Sequence, residues 1–249
     1  MEESNRHERY DRAREAGVRA RRQAPLRRSR GGSMVAGPLR PLLPALAAFA
    51  LFGVLTALLI TVDVRPIGPG GSPVGLAWLN GAARDAVGVD WGLYSLTDWA
   101  GLVPVSSMLV FGMLGLSQAV RRRSLLAIDR DLWLLGGLYA AMLLCHLLFD
   151  LVPVNFRPVL IDGVLEPSYP SSHALLATGA LGGAVAWARG NLGGMRWRAA
   201  SAACLLCTLF IVIGRFLSGV HWATDIAGGT LLGAALALGY AALSQKGER

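Results

Sequence analysis

The chain has 249 residues, of which 53% are hydrophobic and only 16% charged, with a mean hydropathy of +0.47. That profile excludes an ordinary soluble domain and points to an integral membrane protein. The formal charge of +8 does not point to nucleic acid, because the basic residues flank apolar runs instead of alternating with aromatics on a folded face.

In chain order, residues 1–40 form a basic tail. Residues 1–35 hold almost no large apolar side chains, cannot bury a core, and are expected to be disordered. The apolar run that follows is too continuous for a cleaved leader and reads as a signal anchor. The tail's charge sets topology, and it can also adhere to anionic lipid on the cytoplasmic leaflet. Six spans are then expected, at 42–62, 100–119, 132–149, 172–188, 199–216 and 223–243, each near the ~20 residues that cross the hydrocarbon. Gly and Ala are frequent in the last three (GALGGAVA, AGGTLLGAALALG), which favours close helix approach. The fold class is therefore an all-α integral membrane bundle of about six transmembrane helices over 41–244, with 245–249 as a second tail. Cys145, Cys204 and Cys207 all lie inside apolar runs and read as packing residues.

Twenty of the 24 Lys and Arg fall in the two tails and in the loops RRRSLLAIDRD and RGNLGGMRWR; only Arg65, Arg84, Arg157 and Arg215 lie elsewhere. By the positive-inside rule both termini are cytoplasmic. Residues 63–99, 150–171 and 217–222 are then extracytoplasmic. That assignment brings five residues to one end of the bundle. Arg157 precedes the fourth span, His173 begins it, Arg215 ends the fifth, and His221 and Asp225 open the sixth. Singly, each has a structural reading: an interfacial histidine, a snorkelling arginine, an aspartate on a helix dipole. Together they fit phosphoryl transfer. Two guanidinium forks match phosphate oxygens. A neutral imidazole can attack phosphorus, and a carboxylate at i+4 on the same helix face can hold its second N–H. His173 can then protonate the leaving oxygen and later activate water. Backbone N–H groups at Ser171, Ser172 and His173 can add donors to a bound anion. The scheme needs no metal and no other cofactor. His146 sits within the third span and reads as an interhelical hydrogen-bonding residue, and Asp150 as the end of that helix.

At these residues the sequence resembles the type-2 phosphatidic acid phosphatase superfamily, which includes membrane lipid phosphate phosphatases, soluble acid phosphatases and related vanadium haloperoxidases. The family pattern is a Lys followed seven residues later by Arg-Pro, then Pro-Ser-Gly-His, then Ser-Arg, five residues, His, three residues, Asp. Here the second motif is Pro170-Ser171-Ser172-His173, and the third is Gly214-Arg215 leading to His221 and Asp225 with both spacings kept. Of the first, Arg157-Pro158 is present, but Asp150 stands where the lysine is expected. The resemblance implies His221 as nucleophile, Asp225 as its orienter and His173 as general acid. It implies Arg157, Arg215, Ser171 and Ser172 as phosphate ligands. The sole lysine, Lys246, lies in the cytoplasmic tail, so Arg65, or else Arg84, is the candidate to complete the phosphate pocket.

The expected function is hydrolysis of a lipid phosphate or diphosphate (polyprenyl diphosphate, phosphatidic acid or phosphatidylglycerol phosphate) through a phosphohistidine at the extracytoplasmic face of the cell membrane. Its partners would be that substrate and the membrane lipids, with no nucleic acid; no oligomeric state is assigned. The alternatives are a lipid phosphotransferase and a catalytically impaired homologue that binds lipid phosphate or regulates. A transporter fits less well, because the polar groups gather at one face instead of lining a path across.

Overall fold

The computed structural model describes residues 40–244. The expected tails, 1–40 apart from Arg40 and 245–249, lie outside the described residues. Helices α1 (Leu43–Thr61), α2 (Ala77–Val87), α3 (Trp91–Ala100), α4 (Leu102–Arg122) and α5 (Arg130–Leu151) come first. Helix α6 covers 172–191 in three parts: Ser172–Leu176, a π-helical turn Ala177–Leu181, and Gly182–Asn191. Helices α7 (Gly194–Leu217) and α8 (Ala223–Ser244) complete the fold. Among the described residues there is no strand, only isolated β-bridges such as Arg65 with Val74. The all-α expectation holds.

Five stretches are long and apolar enough to cross a membrane: Arg40–Thr61, Trp91–Arg122, Arg130–Leu151, Gly194–Leu217 and Ala223–Ser244. Their outward faces carry bare apolar side chains such as Leu46, Leu109, Leu144 and Leu206, as lipid contact requires. The expected fourth span is the central element. It is helical throughout, packs against α4, α5, α7 and α8, and buries Ala174, Leu175, Ala177, Ala180 and Leu181. Its π turn shifts the backbone ladder by one residue, and the Thr208 hydroxyl on α7 donates to the Ala177 carbonyl there (3.2 Å).

The second span begins earlier than its hydropathy suggests. Residues 91–99, expected as loop, form α3, which runs through Gly101 into α4. The segment WGLYSLTDWA carries Ser95, Thr97 and Asp98, which dilute its apolar signal. Asp90 starts it, its carboxylate accepting from the Leu93 N–H (2.9 Å). Helix α2 also lies in an expected loop. It is pinned by Asn80, fully buried, whose side chain bonds Thr224 at the head of α8 (3.0 Å).

One aromatic knot fixes the approach to α6. Tyr169 is stacked on Phe52 of α1 (5.9 Å between centroids) and meets the edge of Phe149 on α5 (5.7 Å). Its hydroxyl is 2.7 Å from that of Thr56. The Pro170-Ser171 turn thus leaves a buried ring tied to two helices.

Candidate active site

The first turn of α8 organises the site. Trp222 donates its backbone N–H to the Asp225 carboxylate (3.0 Å), a cap closed three residues ahead. Its indole N–H donates to the Phe156 carbonyl (2.6 Å), fastening the loop that carries Arg157. The Ser171 N–H donates to the Asp225 carbonyl (3.0 Å). The loop before α5's successor, the start of α6 and the start of α8 are thereby joined around one point.

Asp225 is completely buried. One carboxylate oxygen accepts from the Asn155 amide (3.4 Å), and the other lies 3.6 Å from His221 Nδ1. On the far side of the ring, Arg157 Nη1 is 3.0 Å from His221 Nε2. A guanidinium can only donate, so Nε2 is the acceptor and the ring proton sits on Nδ1, facing Asp225. His221 is 5% exposed. Burial first, then the Arg157 and Arg215 charges, hold its pKa well below the ordinary histidine value, which keeps the ring neutral. Arg157 is also anchored through Nε to Glu166 (2.9 Å).

A second cluster lies beside the first, within electrostatic reach of His221 and Arg157. Arg215 has a fully buried side chain, stacked over the Tyr94 ring with its charge 4.7 Å from the centroid. Its Nη2 is 2.7 Å from Asp98 Oδ1 and 2.7 Å from His173 Nδ1. His173 Nε2 is 3.3 Å from the same Asp98 oxygen. The same Nη2 is 2.8 Å from His173 Nε2, so either ring nitrogen can accept from Arg215 and the other carries the proton. Gly101 leaves room for this ring: a Cβ there would come within 2.8 Å of it.

Ser171 is buried with its hydroxyl unpartnered among the described residues, whereas Ser172 lines a cavity of about 280 Å³. Arg157, Glu166, Asp150, His146 and His221 line it too. Arg65 lies apart from this group. It is exposed, its guanidinium is bound to Asp63 at 2.5 Å, and it does not reach the cavity wall. Arg84 sits 5.9 Å from the centroid of the Trp222 ring and does not line the cavity either. Among the described residues, no group of three or more His, Cys, Asp and Glu side chains is arranged to hold a metal ion.

Sequence reasoning missed Asp98, Glu166 and Asn155. Asp98 had no motif around it and fell in an expected loop. Asn155 and Glu166 flank the motif arginine and histidine, and their closeness in sequence was the only signal available.

Residues 146–249 match the family model described as PAP2 superfamily. No curated protein matches the chain. Among solved structures it is similar to the crystal structure of a transmembrane PAP2 type phosphatidylglycerolphosphate phosphatase from Bacillus subtilis. Identity is 18%, the TM-score is 0.61, and the match covers 83% of this chain and 99% of that one. At that identity the likeness establishes the fold. The five residues brought to one end of the helices all fall inside the segment that matches the PAP2 superfamily model, and the fold is similar to that of a transmembrane protein of that type.

Proposed function

We propose that the protein is a membrane phosphatase that removes the terminal phosphate from a lipid phosphate or diphosphate. The observation that carries this reading is the line Arg157–His221–Asp225: a buried neutral imidazole with Nε2 turned to a guanidinium and Nδ1 to a carboxylate, at the wall of a cavity. When phosphate takes the Arg157 donors, the Nε2 lone pair is released towards phosphorus. Nε2 forms the P–N bond as the bond to the ester oxygen breaks. Asp225 stabilises the imidazolium that results. His173, entering the step in its protonated form beside Asp98, gives one proton to the leaving oxygen and is left neutral. Water then attacks phosphorus, His173 takes a proton from it, and the P–N bond breaks to release phosphate. Arg157 and Arg215 offset charge on the equatorial oxygens, and Ser171 and Ser172 add donors.

The distribution of Lys and Arg supports an extracytoplasmic site and cytoplasmic termini. Polyprenyl diphosphates, phosphatidic acid and phosphatidylglycerol phosphate are the candidate substrates, the last being what the Bacillus subtilis protein is named for. Phosphate release by purified protein in detergent tests the reading. Wild type is expected to turn over at least one of these lipids, to be inhibited by vanadate, and to lose activity by about 10³-fold or more in His221→Ala. Turnover that survives His221→Ala removes the proposed nucleophile.

A further inference from the structure

The charge on the cavity wall is unusual for a phosphate site. Arg157 is its one arginine, and that guanidinium is already shared with Glu166 and His221. Asp150 lines the cavity as well, and no hydrogen bond or ion pair of Asp150 occurs among the described residues. His146, one turn back on α5 and so on the same helix face, also lines the cavity. A phosphate monoester brings about −1.5 to −2 charges. Placed alone beside Asp150 it would be repelled. The wall becomes favourable only if the substrate also presents hydrogen-bond donors, because a carboxylate accepts and never donates.

The shape agrees. About 280 Å³ is close to the lower end of small-molecule pockets, enough for a phosphate together with a short polar headgroup. Beside His146 and Asp150, α5 exposes Leu143, Leu147 and Leu151, an apolar strip along which acyl chains can lie while the headgroup turns inward.

We propose that Asp150 and His146 form the headgroup-recognising wall of this cavity, selecting lipid phosphate monoesters whose headgroup carries hydroxyl or ammonium donors next to the ester. The inference rests on the phosphatase reading and narrows it. It ranks phosphatidic acid and prenyl diphosphates, which offer no such donor, as poor substrates. Asp150 is a specificity residue here and takes no part in bond making.

The test compares kcat/KM of purified protein in detergent on four lipids: short-chain phosphatidylglycerol phosphate (hydroxyl donor), a sphingoid-base phosphate (ammonium donor), short-chain phosphatidic acid and farnesyl diphosphate. Wild type is expected to prefer one or both donor-bearing lipids by about tenfold or more, the worth of a hydrogen bond to a charged group. Which of the two leads identifies the donor. Asp150→Lys is expected to invert the order, lowering the donor-bearing substrates and raising the diphosphate. His146→Ala, a second variant at the same wall, is expected to narrow the preference without inverting it. Asp150 is exposed, so its replacement leaves the core intact, and size-exclusion chromatography checks the fold. Active protein whose preference is unchanged within about twofold by both substitutions overturns the proposal while leaving the phosphatase reading intact. Wild type inert towards all four lipids overturns both.

Discussion

Asp98 shows how a residue outside every motif can govern the residues inside them. Its Oδ1 is shared by Arg215 Nη2 at 2.7 Å and His173 Nε2 at 3.3 Å, so a single oxygen sets the angle of both. The Asp98 side chain is 52% exposed but its partner Arg215 is fully buried, so removing the carboxylate charge leaves a buried guanidinium less compensated. Orientation is the more sensitive quantity. Asp98→Asn is expected to lower kcat/KM by about tenfold or more and also to lower the melting temperature, read by initial rates and thermal unfolding in detergent. His221 makes a prediction in pH. Its lowered pKa means the neutral, nucleophilic form persists to more acid pH than in a free histidine. The acid limb of kcat/KM assigned to it is expected below about pH 6.5. A limb at or above that value, absent in a variant at His221 with residual turnover, contradicts the burial argument. The spacing of His221 and Asp225 could be read from the chain because one helical turn separates them. Asp98 could not, since it approaches from another helix, 117 residues before Arg215.

At the scale of elements, the site depends on how closely α8 meets the start of α6. Glycines on α8 make that approach possible. A Cβ on Gly229 would come within 2.4 Å of the Ser171 carbonyl oxygen, and one on Gly228 within 2.4 Å of the Tyr169 ring. The first obstacle is backbone and cannot rotate away. Gly229→Ala is expected to destabilise by about 1–3 kcal/mol and to reduce activity by displacing His173. Gly112→Ala on α4, where a Cβ meets nothing within 4 Å, is the control and should leave both unchanged or slightly raise stability. The Gly- and Ala-rich character of these helices was visible in the sequence as a sign of tight packing. The π turn was not, because its freed carbonyl is satisfied by Thr208 from a neighbouring helix, and no local pattern encodes that partner. Helix α3 escaped because a helix that lodges a carboxylate against a buried arginine looks, by hydropathy, like a loop.

For the whole molecule, the sequence carried the all-α class and the order of apolar spans, since lipid leaves few solutions for a long apolar run. Convergence of the motifs at one end followed from alternation: each crossing returns the chain to the opposite side, so odd and even connections must separate. What alternation cannot supply is depth and rotation about each helix axis. That is why Arg65, on the correct end, turns to Asp63 instead of the cavity, and why the wall around Asp150 was not foreseen. The contact between Ser171 and Asp225 bears on this last point. It is made by an amide hydrogen and a carbonyl oxygen, atoms that every residue except proline brings in equal measure. Any residue but an imino acid at position 171 can therefore keep the start of α6 fastened to the first turn of α8.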